Sequence, residues 1–242
     1  MRLITLTSIT GAGEDMFDEY VDTQTETADE ISKTFSVAGF NALAILNCVG
    51  ITATLSFSSA EPDITISLIR DSVIDWWDYF FAPTRTGGDF VFYFPTQPPG
   101  ATATLTISYT GGTAKCGMCV TGVAKDIATT RQDITLGISD YSKISTDGFG
   151  RTYLNQGKWA KRVQAGAFVL NPSLDICFRE VIKNRGVACI FDYNEYDDEL
   201  ETPHSSVDGF QTLIVYGFTE DFDIVTRGPS ISDVRHESQG LR

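Results

Sequence analysis

Five cysteines are the first residues whose spacing could organise chemistry. Cys116-Gly117-Met118-Cys119 has the two-residue gap of a metal knuckle, and Cys177 with Cys189 could complete a four-thiolate zinc or iron–sulfur site. The pair falls in a strand-like run, however, where alternation sends positions 116 and 119 to opposite faces. The expectation is therefore buried thiols that act as small hydrophobes, with no metal and no cofactor. The densest aromatic run, Asp75-Trp76-Trp77-Asp78-Tyr79-Phe80-Phe81, could form a sugar platform, with flat rings stacking on a saccharide while Asp75 or Asp78 accepts hydroxyl hydrogen bonds. Alternate rings that fill a core or anchor a subunit contact are the more ordinary outcome.

Charged residues offer two further groupings. The stretch Asp192 to Gly209 presents Asp192, Glu195, Asp197, Asp198, Glu199 and Glu201, oxygen ligands of the kind calcium takes. It lacks the regular ligand spacing and central glycine of a calcium loop, so a solvated, self-repelling surface is expected. Arg151, Lys158, Lys161 and Arg162 make the one local basic group. They suit pairing with acidic loops of a neighbouring subunit, and equally suit a solvated strand face.

Catalytic signatures do not emerge. The two histidines, His204 and His236, stand beside no nucleophile motif, and the chain has no Gly-x-Ser-x-Gly, phosphate-binding loop or His-Glu-x-x-His. An enzyme is not expected, and no catalytic residue is assigned.

Composition excludes more. A net charge of −14 disfavours nucleic acid as a partner, because phosphate contacts need clustered Lys and Arg. Up to and including Lys115 there are 5 basic against 14 acidic residues, and beyond it 13 against 18, so the acidity concentrates in the first half. The opening residues carry no signal-peptide core and the longest apolar stretches fall short of a bilayer span, so no export and no membrane insertion are expected. An odd number of cysteines then suggests reduced thiols in a bacterial cytoplasm.

The elements that position these groups read as mainly β. After a strand-like start and an acidic loop pinned by Met16-Phe17, candidate strands fall at Ile31–Val37, Ala42–Cys48, Thr52–Ser58, Ile64–Ile69, Asp89–Phe94, Thr102–Tyr109 and Lys115–Val123. Turns separate them, among them Gln97-Pro98-Pro99-Gly100 and Thr110-Gly111-Gly112. Short strands so spaced argue for a β-sandwich or jelly roll over residues 1–123. Residues 124–242 open with a strand at Ile134–Asp140, a turn at Thr146-Asp147-Gly148-Phe149-Gly150 flanked by a strand pair, and a strand at Lys161–Leu170. One helix is expected over about 172–185, with Pro172 at its start, Leu174, Cys177, Phe178, Val181 and Ile182 at helical spacing, and Gly186 at its end. Strands resume at Val187–Phe191, Thr212–Phe218 and Phe222–Thr226.

In order along the chain, Met16-Phe17-Asp18, Thr23-Gln24-Thr25, Asn41 to Asn47, Asp75 to Pro83, Gly137 to Lys143, Thr146 to Gly150, Trp159 to Arg162, Val215 to Phe218 and Glu237 to Leu241 form a set of landmarks. Their order resembles that of a family of tail-associated structural proteins of tailed bacteriophages. The resemblance implies a virion component at the tail tip or baseplate, assembled in the host cytoplasm, with other phage tail proteins and further copies of itself as partners. It also implies a first domain of carbohydrate-binding-module type and a second resembling the ring-forming fold of tail-tube and distal-tail proteins. The alternative under the same resemblance is a carbohydrate- or receptor-binding tail protein, with Asp75, Trp76, Trp77, Asp78 and Tyr79 as contacts to a host surface glycan or partner. Arg151, Lys158, Lys161 and Arg162 would be the subunit contacts. The acidic stretch from Asp192 is longer than in that family.

Overall fold

A computed structural model describes residues 1–7, 15–59, 61–69, 87–194, 211–226, 228 and 230–241, with the side chains of 132, 133 and 211 left aside. The chain is mainly β. In order, the strands are β1 (Arg2–Thr7), β2 (Thr25–Ser36), β3 (Ala42–Cys48), β4 (Thr52–Phe57), β5 (Ile64–Ser67), β6 (Gly88–Tyr93), β7 (Thr102–Cys116) and β8 (Met118–Asp126). They continue with β9 (Thr129–Asp140), β10 (Lys143–Thr146), β11 (Thr152–Asn155), β12 (Trp159–Leu170), β13 (Cys189–Asp192), β14 (Ile214–Thr226) and β15 (Ile231–Gly240). Helix α1 (Leu174–Lys183) is the one α-helix among the described residues. No helix among them is long and apolar enough to cross a membrane.

Two compact units divide the described residues, one holding most of 6–124 and the other 1–5, 125–194 and 212–241. In the first, β2-β7-β4-β5 form an antiparallel sheet, and β3 lies between β6 and β8 in a second antiparallel set. Alternation places Ile31 and Phe35 of β2, Ala53 and Leu55 of β4, Ile64 and Ile66 of β5, and Leu105 and Ile107 of β7 in one core. Leu43 and Ile45 of β3 and Phe90 and Phe92 of β6 enter the same core. Outward-facing threonines pair across the strands, as Thr34 with Thr104 at 2.7 Å and Thr54 with Thr65 at 3.0 Å.

Expected and observed elements differ at the glycines of this unit. Thr110-Gly111-Gly112 is not a turn: β7 runs through it, and register jumps from Asp29↔Tyr109 to Ala28↔Thr113, which bulges the extra residues outward. Positive φ at Gly111 (78°) and at Asp29 (62°) builds the bulge, and the Asp29 carboxylate accepts the Gly111 N–H at 2.9 Å. A glycine with positive φ serves a bulge as well as a turn, and composition does not separate the two.

The second unit is an antiparallel sheet in the order β1-β13-β14-β15-β12-β9, with α1 connecting β12 to β13. Met1 and Leu3 join its core, together with Val163, Ala165, Ala167, Phe191 and Val215. The strands expected at Thr212–Phe218 and Phe222–Thr226 are one strand, β14, bulged between Thr219 and Asp221. A strand that the sequence pattern does not announce, β15, lies between β14 and β12. Its inward residues are Ser232, Val234, His236, Ser238 and Gly240, so the alternation is of small or neutral against charged side chains, without a hydrophobic period.

Helix α1 forms where expected but buries only one edge of the expected apolar arc. Cys177 and Val181 are its buried residues, while Phe178 and Ile182 are 51% and 54% exposed. Neighbouring positions on the apolar arc differ by about 100° of rotation, so sequence spacing leaves open which edge of the arc meets the sheet.

Candidate functional site

The most exposed apolar region of the described chain is a two-stranded ribbon. β12 pairs with β15 only as far as Arg162↔Gln239, whereas its pairing with β9 continues to Trp159↔Asp140. Beyond that point the hairpin of β10 and β11 continues, from Lys143↔Asn155 to Thr146↔Thr152, as a separate two-stranded sheet. Every residue of β10 and β11 is exposed.

Local chemistry fixes the ribbon's shape. At its tip, one Asp147 carboxylate oxygen accepts the backbone N–H of Phe149 (2.9 Å) and of Arg151 (2.8 Å), and the other accepts the Tyr153 hydroxyl (3.1 Å). These donors, led by the Arg151 N–H, hold the Asp147 carboxyl below its ordinary range. At the root, Asp140 accepts both the hydroxyl and the N–H of Ser142, which lowers its pKa in the same way, and the Ser142 hydroxyl in turn accepts the Gly157 N–H at 2.9 Å. A Cβ on Gly157 would lie 2.4 Å from the Tyr141 carbonyl oxygen, so only glycine fits that crossing.

On this frame sit eight of the seventeen large apolar side chains that are exposed among the described residues, all between Leu136 and Trp159. Ile144 and Leu154 are register partners, which puts them side by side on one face, and Phe149 at the tip is 94% exposed. Leu136, Ile138, Trp159 and Val163 line a groove of about 320 Å³ at the root, together with Lys161 and Arg162. A concentration of this kind on so few residues makes the ribbon the candidate site.

The four basic residues expected to form subunit contacts all lie on this element. Arg151 and Lys158 are exposed on the ribbon. Lys161 donates to the Ile214 carbonyl oxygen at 3.2 Å, and the Arg162 Nε lies 2.8 Å from a Glu237 carboxylate oxygen, so these two are engaged within their own sheet. Sequence reasoning found the turn and its basic flanks but passed over Ile144, Phe149 and Leu154. The available signal was the presence of large apolar residues on both sides of a turn rich in glycine.

Asp75, Trp76, Trp77, Asp78 and Tyr79 lie outside the described residues, as does the acidic stretch from Glu195 to Gly209. Asp192, at the end of β13, is buried instead of solvated, and accepts the N–H and the side-chain amide of Asn194 at 3.0 and 2.8 Å.

The cysteines depart from the expected divergence. Cys116 ends β7 and Cys119 belongs to β8, with a bend at Gly117 between them, and both thiols enter the same core with Cys48. The bend resets the alternation, and a Cβ on Gly117 would lie 2.4 Å from the Val21 carbonyl oxygen. Burial, and then each thiol's neighbour among the three, raises all three pKa values well above the thiol range. Cys177 and Cys189 belong to the other core, where burial pushes each to about 11. Among the described residues no group of three or more His, Cys, Asp or Glu is placed to hold a metal ion.

His236 lies fully buried in a chain of polar groups. Its Nδ1 is 2.6 Å from the Tyr193 oxygen, Tyr193 donates to the Ser238 oxygen at 2.8 Å, and Nε2 is 3.1 Å from the Thr219 hydroxyl. With the ring neutral and the Tyr193 proton on Ser238, Nδ1–H donates to Tyr193 and Nε2 accepts from Thr219. Burial lowers the His236 pKa to about 3 and raises that of Tyr193. Tyr193, His236 and Ser238 are sealed from solvent, and Thr219 is half-buried.

Against known proteins, no family model, curated protein or solved structure matches this chain.

Proposed function

We propose that the chain is a structural subunit of a tailed-phage virion, placed at the tail tip or baseplate and held there by contacts to further copies and to other tail proteins. The observation that carries this reading is the ribbon from Leu136 to Trp159, whose exposed apolar side chains suit an assembly partner better than a substrate. A two-stranded ribbon is only marginally stable in water, so burial against a neighbour is its natural completion. The order of sequence landmarks supports the tail assignment, and a net charge of −14 suits a wall past which DNA must slide without sticking.

Within this proposal, residues 6–124 are a β-sandwich of carbohydrate-binding-module type, and the unit bearing the ribbon is a tube-like domain. The role is architectural, with no catalysis. A glycan contact through Asp75, Trp76, Trp77, Asp78 and Tyr79 belongs to the same proposal as its alternative, and no described residue adds to it. The test is immunogold labelling, with antibody to this chain, of virions of the phage that encodes it. Gold at the distal end of the tail is the expected result. Gold on the capsid, or virions that lack the chain, would refute it.

A further inference from the structure

We infer that Cys48 and Cys116 form a cross-strand disulfide when the chain folds in the presence of a small-molecule disulfide oxidant, and stay thiols when it folds without one. The inference stands apart from the assembly reading and rests on where the backbone sets these two residues.

Two segments of chain cross between the sheets of the first unit at one place. Residues 49–51 lead from β3 in one sheet to β4 in the other, and Gly117 leads from β7 back to β8. Leu46↔Met118 and the bridge Val49↔Lys115 lie in one antiparallel register, so Cys48 stands opposite Cys116 at the crossing. Positive φ at Asn47 (50°) and the bend at Gly117 face each other within that register, and both cysteines turn into the same core. Val49 and Lys115 exchange both backbone hydrogen bonds, at 2.8 and 3.0 Å. The next pair along, Cys48 with Cys116, is therefore a non-hydrogen-bonded pair, the kind whose Cα atoms approach to about 4.5 Å. A disulfide spans about 4.4–6.8 Å between Cα atoms, so the ladder already sets the two residues within reach.

The same ladder excludes Cys119. It is the register partner of Ile45, three residues from Cys48 on β3, and it lies three residues from Cys116 along the opposing segment. Three steps of strand span roughly 10 Å, which is beyond a disulfide.

In the folded chain both sulfurs are sealed as S–H groups. The Cys48 thiol donates to the Gly88 carbonyl oxygen at 3.0 Å and the Cys116 thiol to that of Met118 at 3.7 Å. The thiolate is the attacking species in disulfide exchange, so the reaction belongs to the chain before its core closes. One cysteine thiolate attacks a sulfur of oxidised glutathione and expels one glutathione, which leaves a mixed disulfide. The second cysteine thiolate then attacks the protein sulfur of that bond, forms Sγ–Sγ and expels the other glutathione. Two protein thiols are oxidised, one oxidised glutathione is reduced to two glutathione thiols, and these carry away both protons. The bond closes the long loop from Cys48 to Cys116 and staples the crossing between the sheets, which removes freedom from the unfolded chain.

The test dilutes the full chain, reduced and unfolded in urea, into buffer containing oxidised glutathione or reduced glutathione alone. Remaining thiols are alkylated under denaturing conditions, and linked peptides are identified by mass spectrometry. The expected product of the first buffer has Cys48 joined to Cys116 and Cys119 alkylated. It should melt at least about 5 °C above the product of the second buffer. Unfolding it, reducing it and refolding it with reduced glutathione should remove that gain. A folded product without the Cys48–Cys116 bond, a bond that takes in Cys119, failure to fold in the oxidising buffer alone, or a bonded chain that melts no higher than the reduced one would each overturn the inference.

Discussion

His236 enters the folded sheet as a neutral ring, and that choice couples stability to pH. Its pKa of about 3 lies below the ordinary 6.5, so as pH falls from about 6.5 towards 3 the unfolded chain takes up a proton that the folded chain refuses. The stabilisation is complete above the unfolded pKa and is lost on the way down, by about 2–3 kcal/mol between about pH 7 and about pH 4.5. Denaturant titrations at the two pH values measure it, and His236→Phe should show a smaller acid-induced loss than the wild type; equal losses would mean the imidazole does not contribute. At the same scale the thiols are sealed. All five cysteines are free and buried, and burial raises their pKa values, so a disulfide reagent should label none in the native protein and all five after unfolding. Rapid labelling of the native chain would contradict the packing at Gly117.

At the scale of elements, α1 and the β14–β15 pair make opposite demands on side-chain size. Val181 faces the sheet and Ile182 faces water, so Val181→Ala should cost about 1–3 kcal/mol and Ile182→Ala under about 0.5 kcal/mol. Equal losses of melting temperature would reverse the face assignment. Gly217 is the register partner of Gly240, and a Cβ there would lie 1.9 Å from the Gln239 carbonyl oxygen. Backbone cannot yield that distance without breaking the ladder, so Gly217→Ala should destabilise by more than about 2 kcal/mol, read from the midpoint of a urea titration. The landmark Val215-Tyr216-Gly217-Phe218 was visible in the sequence, but the reason for its glycine is a strand that carries no hydrophobic period.

For the whole molecule, charge sets the class of partner. With 32 carboxylates against 18 cations, the chain should show no retention on double-stranded DNA at about 50 mM salt, the regime in which non-specific binding is strongest. Retention in an electrophoretic shift under that condition would remove the argument from acidity. Within the proposed role, the exposed apolar side chains of the ribbon carry the assembly contacts.

The amino-acid sequence by itself determined the mainly β class, most strands of the first unit, the turn from Thr146 to Gly150 and the existence of α1. Each rests on local signals: β-branched runs, turn formers and a helical apolar arc bounded by Pro172 and Gly186. Tertiary structure alone decided the rest. β15 is held by Ser232, His236 and Ser238 facing inward, and their burial is tolerable because Tyr193, just past β13, and Thr219 of β14 satisfy the imidazole. The convergence of Cys48, Cys116 and Cys119 depends on a bend at one glycine, and the face of α1 depends on which edge of its arc the sheet meets. The exposure of Phe149 depends on where β15 stops pairing with β12, a long-range fact that no local window of residues contains.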